Sequence, residues 1–110
     1  MIRHTVIFVL KHAHGSLQEK SFLRDALVLK EIPGVEKFER LRQVSEKNDY
    51  DFGFSMEFAN HAAYEAYNVH PKHVAFVRDR WEREVERHEC IVRRIDTLLA
   101  DLTGSPSGAP

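Results

Sequence analysis

The 110-residue chain predicts an α+β fold, with helices covering one face of a sheet, and three observations carry that prediction. A run rich in β-branched and aromatic residues opens the chain. A second run, Tyr50 to Phe58, alternates aromatic and polar side chains as a half-buried strand does. Amphipathic segments bounded by capping residues and by proline and glycine lie between and after these runs. Composition agrees with one compact domain: 43% of residues are hydrophobic, 30% are charged, and the formal net charge is -1. A domain this small buries only a modest share of its surface, so self-association is expected.

Taken in order, Ile2 to Lys11 is hydrophobic on both faces, as a central strand covered on each side should be. Its even positions, Ile2, His4, Val6, Phe8 and Leu10, share one face, and His4 is the lone polar member. Ser16-Leu17-Gln18-Glu19 matches a capping box and starts a helix with Leu17, Phe22, Leu23, Ala26, Leu27 and Leu29 on its apolar face. Ile32-Pro33-Gly34 stops it. Over 35–45, Val35, Phe38, Leu41 and Val44 recur every three residues, which by periodicity alone favours a helix. After the strand at Tyr50 to Phe58, Asn60 caps a short helix over His61 to Asn68. Pro71, whose fixed φ suits the first helical position, opens a longer helix to about Arg87, with His70 as its cap and Val74, Val77, Trp81 and Val85 on one face. Cys90-Ile91-Val92 reads as a short final strand and Thr97 to Leu102 as an extra turn or two of helix. Gly104 to Pro110 is too poor in apolar groups to order. Residues 1–96 are thus expected to form the domain and 97–110 a largely disordered extension. This order suits a ferredoxin-like sandwich. If 35–45 is a strand, the four-stranded antiparallel sheet has a second apolar face that a second copy could bury in a closed two-fold dimer.

Several function classes are disfavoured at once. Arg78, Arg80, Arg83 and Arg87 gather on one segment, but Asp79, Glu82, Glu84 and Glu86 interleave with them, so a concentrated positive field for nucleic acid is missing. The opening apolar run is too short to cross a bilayer and lacks a small-residue cleavage site, so no membrane association is expected. The single cysteine, Cys90, excludes an intrachain disulfide, fits a reducing cytoplasm, and reads as a buried, inert thiol. His12 and His14 form an H-x-H pair, and His70 and His73 stand three apart, but neither set has a third ligand at motif spacing, so no metal is expected. Nucleophile-elbow, phosphate-loop and dinucleotide motifs are missing, and no cofactor is expected.

The segment from Tyr64 to Phe76 concentrates two phenols, Tyr64 and Tyr67, and two imidazoles, His70 and His73, around Pro71. His73 falls in the first turn of the helix that Pro71 opens, where the positive end of the dipole opposes protonation and keeps a basic nitrogen available near neutral pH. The same residues also read as a capped helix junction whose phenol and imidazole bond to local backbone, and His4 also reads as a hydrogen-bonded core histidine.

The opening Ile2-Arg3-His4-Thr5-Val6, the corner Ile32-Pro33-Gly34-Val35, the strand entry Tyr50-Asp51-Phe52-Gly53 and above all Ala66-Tyr67-Asn68-Val69-His70-Pro71-Lys72-His73-Val74-Ala75-Phe76 resemble the stress-responsive A/B-barrel (Dabb) family of the dimeric α+β-barrel superfamily, over roughly residues 2 to 92. The resemblance implies a ferredoxin-like protomer that pairs with a second copy through its sheet to form a dimeric α+β barrel, and it turns 35–45 from helix to strand. Most members have no assigned activity, and some resemble oligomeric stress-associated proteins. The enzymes among them are similar to polyketide cyclases, in which a histidine after the His-Pro pair is the base and the preceding tyrosine assists. Those positions are His73 and Tyr67 here. His4 matches a strand-one histidine of such enzymes, whereas a strand-three histidine found in some of them is replaced by Phe52. The aromatic strand ending usual in the family is replaced by Arg93-Arg94-Ile95-Asp96.

The functional expectation is therefore cofactor-independent acid-base chemistry of a cyclase, lyase or isomerase on a small apolar keto compound. His73 would be the base, Tyr67 a hydrogen-bond donor, and His4, Phe52, Phe54, Val74 and Val77 the substrate contacts, with Phe22 and Leu27 as further candidates. The alternative is a non-catalytic oligomeric or small-molecule-binding protein.

Overall fold

The computed structural model describes residues 1–94. The order is β1 (Ile2–Leu10), α1 (Leu17–Asp25) running into a 3₁₀ turn (Ala26–Glu31), β2 (Glu36–Arg42), β3 (Phe52–Phe58), α2 (His61–Val69), α3 (Pro71–Phe76), a π-helical turn (Val77–Trp81), α4 (Glu82–Glu84) and β4 (Val85–Arg94). The strands form one antiparallel sheet in the order β2-β3-β1-β4, with the helices on one face, a ferredoxin-like sandwich. The expected turn over Thr97 to Leu102 and the tail after it lie outside the described residues. Among the described residues no helix is long and apolar enough to cross a membrane.

Two-residue alternation places the even positions of β1 and β3 against the helices. Ile2, Val6, Phe8 and Leu10, with Phe52, Phe54, Met56 and Phe58, are buried there with Phe22, Ala26, Leu29, Ile32, Tyr67 and Phe76. Phe8 is the centre of an aromatic cluster, with ring centroids 4.8 Å from Phe54, 5.0 Å from Trp81 and 5.8 Å from Phe22. The caps form as the sequence implies. Ser16 accepts the Glu19 N–H at 3.2 Å and Asn60 accepts that of Ala63 at 2.9 Å. The Glu19 carboxylate, however, takes the N–H of Gly15, because the Ser16 N–H is already bonded to the Ala13 carbonyl.

Three elements depart from the sequence reading. Within 35–45, Glu36–Arg42 is a strand, as the family resemblance implies and against the helix that periodicity alone favours, and its pairing steps from Glu36 opposite Glu57 to Glu39 opposite Ser55, three residues against two, with Lys37 at φ 51. This bulge shifts the alternation in mid-strand and produces the three-residue spacing that resembles a helix. Phe38 consequently packs 5.8 Å from Phe54 on the helix side while Leu41 lies opposite Gly53 on the other. The long helix from Pro71 is shorter than expected, and Val85 belongs to β4. Residues 85–94 follow the whole length of β1, from Val85 opposite Leu10 to Arg94 opposite Ile2, so ladder pairing overrides the helical charge pattern. Leu17 is exposed rather than on a buried helix face.

Candidate active site

A cavity of about 170 Å³ lies between the sheet and the helical segment that follows α2. Its floor is His4 and Val6 of β1, Phe54 and Met56 of β3, and Cys90 and His88 of β4. Tyr67 of α2, His73 and Phe76 of α3, Val77, Trp81 and Leu29 close it from the helix side. Its polar groups are few and belong mainly to titratable side chains.

The Pro71 junction places His73. His70 is extended (φ -64, ψ 136), its Nδ1 accepts the Lys72 N–H at 3.1 Å, and Pro71 takes the first helical position. His70 therefore acts as a cap. One turn back, the Asn68 carbonyl accepts from His73 Nδ1–H at 3.0 Å. A carbonyl can only accept, so the neutral ring carries its proton on Nδ1 and its lone pair on Nε2. Burial lowers the His73 pKa, partly offset by the Asn68 hydrogen bond. Burial is thus the main cause that favours the neutral ring. The Tyr67 ring centroid lies 4.4 Å from that of His73. Tyr67 is 1% exposed, and burial first, then Tyr64 and Cys90, holds its phenol far above the ordinary range, so it stays protonated.

His4 shares the cavity. Its Nε2 lies 3.0 Å from Cys90 Sγ, and its ring meets Tyr64 and Tyr67 edge-on at 5.8 and 6.2 Å. Burial lowers its pKa, and His73 lowers it further, since two imidazolium charges in one cavity repel. The residue Cys90 is not buried as expected from sequence. On an outer strand of the sheet the residue is exposed, while its sulfur reaches His4 and burial there pushes the thiol pKa up.

Of the expected substrate contacts, His4, Phe54 and Val77 line the cavity together with His73 and Tyr67. Phe52 does not. It packs 5.9 Å from Phe8 with Arg42 over its ring, at the start of β3 two residues before Phe54 and outside the cavity lining. Val74 is 47% exposed and turned to an outer groove that it shares with Asn68, His73, Val77, Arg78 and Glu82, because the helical step from His73 carries it away from the sheet. Phe22 is core beneath α1, and Leu27 also lies outside the cavity. His12 donates to Glu84 at 2.7 Å and His14 to Asp51 at 2.9 Å, so the H-x-H pair points to two different partners. Among the described residues no group of three or more His, Cys, Asp or Glu side chains is placed to hold a metal. Sequence reasoning missed His88, Met56 and the cavity roles of Cys90 and Trp81. The signal for His88 and Cys90 was available as alternation along β4, which continues the His4 face, but it was obscured by the helical reading of 85–87.

The Dabb (Stress responsive A/B Barrel Domain) family model matches residues 2–97 of this chain. The chain belongs to the Dabb family. A Dabb family protein with a ferredoxin-like fold from Mesorhizobium loti is 63% identical, over 84% of this chain and 94% of that one, with a TM-score of 0.83. A dimeric ferredoxin-like protein of unknown function from Thermobifida fusca is 17% identical over 84% and 88% of the two chains, TM-score 0.70. A hydroxynitrile lyase from Passiflora edulis is 12% identical over 84% and 90%, TM-score 0.72. The latter two share the fold with this Dabb chain. No curated protein matches it.

Proposed function

We propose that the cavity of this Dabb protein binds a small, largely apolar carbonyl compound, and that His73 Nε2 takes a proton from it while the Tyr67 hydroxyl donates to the oxygen on which charge develops. The observation that carries this reading is the Asn68 carbonyl, which fixes the His73 tautomer so that the basic nitrogen is Nε2. Burial supports both roles, keeping the imidazole neutral and the phenol protonated. A methylene between two carbonyls brings its own acidity, so an imidazole is a sufficient base, and an apolar wall that excludes water favours the transfer. The carbanion so formed would attack a second carbonyl, as in a cyclase, or expel a leaving group, as in a lyase. The same fold carries a hydroxynitrile lyase in Passiflora edulis. His4, Phe54 and Val77 would contact the ligand.

The protein acts as a homodimer closed through the outer sheet face, where Ile7, Val9, Leu41 and Ile91 lie, and Leu41 and Ile91 are 40% and 47% exposed. The dimeric Thermobifida fusca neighbour supports this. The single cysteine of this chain, Cys90, fits a reducing cytoplasm.

The test is turnover of short β-diketones and β-keto thioesters by wild type, His73→Ala and Tyr67→Phe. Loss of the base is expected to lower kcat/KM by about 10²–10⁴-fold with an unchanged circular dichroism spectrum. Equal turnover in wild type and His73→Ala removes the assignment. Binding without turnover, with both variants losing only thermal stability, establishes the non-catalytic alternative.

A further inference from the structure

His4 stands on the cavity floor beside two tyrosine rings, and among the described residues Cys90 is the group whose polar atom reaches its ring. Cys90 is opposite Val6 across the β1–β4 ladder and Val92 is opposite His4, so Cys90 and His4 are diagonal neighbours on one sheet face, within reach of a long side chain. That register brings Sγ to 3.0 Å from Nε2. We propose that Cys90 is a positioning residue whose S–H donates to His4 Nε2, holding the His4 imidazole in the tautomer with its proton on Nδ1.

Three observations support this direction of donation. A neutral imidazole nitrogen is a strong acceptor and a thiol sulfur a weak one, so S–H to nitrogen is the better bond. Both groups are held neutral, the thiol by burial and the imidazole by burial and by His73, which disfavours a thiolate-imidazolium pair. The groups packed around His4 from the other elements are Tyr64 and Tyr67 of α2 and His73 of α3, and none of them bonds to its ring nitrogens. His4 is 9% exposed, and its Nδ1 is buried with no hydrogen-bond partner among the described residues.

The consequence is a complementary pair. His73, protonated on Nδ1 by Asn68, offers the cavity an acceptor, whereas His4, protonated on Nδ1 by Cys90, carries a donor with no acceptor of its own. A buried donor without an acceptor costs stability, so the Cys90 bond holds this tautomer against that cost, and neither the bond nor its direction rests on the proposed His73 chemistry.

Long-range proton–nitrogen NMR on the full chain tests it without substrate. Wild type is expected to show His4 Nε2 at an acceptor shift and Nδ1 at a protonated shift. Cys90→Ala is expected to move both shifts toward a mixture of tautomers, and Cys90→Ser, which restores a donor, to return them. A populated Nε2–H form in wild type overturns the proposal, as does a Cys90→Ala spectrum with His4 unchanged. If Cys90→Ala does not fold, wild type together with Cys90→Ser still decides, since loss of the Nδ1–H form in either refutes it. The two readings fail separately: unchanged turnover in His73→Ala leaves the His4 tautomer standing, and a wrong tautomer leaves His73 as base.

Discussion

Lowering the pH from 7 to 5 is expected to destabilise the protein through its two cavity imidazoles. His4 and His73 both have folded pKa values below the ordinary histidine value of about 6.5, chiefly through burial. The unfolded chain therefore takes up protons before the folded one does. The stability these groups contribute is present above about pH 6.5 and is lost as the pH falls through their folded values. Each group can add a slope of at most about 1.4 kcal/mol per pH unit in that window, so the pair can add at most about 2.8, less where solvent screens the partly exposed His73. His14 works in the opposite sense, because Asp51 raises its pKa, but it is exposed and common to every variant compared. The assay is urea denaturation at pH 7, 6 and 5, followed through Trp81, the only tryptophan, in wild type and His4→Gln/His73→Gln. The double variant is expected to lose much less stability over this range than wild type. The singles should be non-additive, since removing His73 relieves the charge that lowers His4. Parallel pH dependence in wild type and the double variant would refute the claim that these rings are held neutral by folding.

Two further outcomes follow from the architecture. Phe8→Ala, at a fully buried site in contact with four other aromatic rings, is expected to cost about 3–5 kcal/mol in urea denaturation, and a loss under 1 would mean that the cluster is not the stabilising centre. Ile91→Lys places a charge on the outer sheet face opposite Thr5, and sedimentation should show monomers where wild type shows dimers. A dimer that survives the charge places the interface elsewhere.

The parts of the fold legible in the sequence were those set by local chemistry. Ser16, Asn60 and Pro71 start helices because each satisfies or omits a particular backbone N–H, and the β1 and β3 faces follow from alternation alone. The parts that were not legible depend on partners distant in sequence. The Lys37 bulge disguises β2, and only pairing with β1 makes residues 85–87 a strand rather than the end of a charged helix. Within the site, the Tyr67–His73 proximity was readable from the junction around Pro71. The Cys90 contact was not, since it exists only through the β1–β4 register.

The same register explains how a small domain tolerates polar groups in an otherwise apolar cavity. Along β1, Phe8 and Leu10 face the aromatic cluster of Phe22, Phe52 and Phe54, while His4, at the other end, meets Tyr64, Tyr67 and Cys90. Trp81 and Phe54 stand between, touching the cluster and lining the cavity. Buried polar groups that lack full partners cost stability, as His4 Nδ1 does, and large apolar rings supply it. Placing them at opposite ends of one strand lets the aromatic end hold the sheet together. The other end is then free to keep imidazoles neutral and a donor unpaired, which a uniformly apolar core could not do.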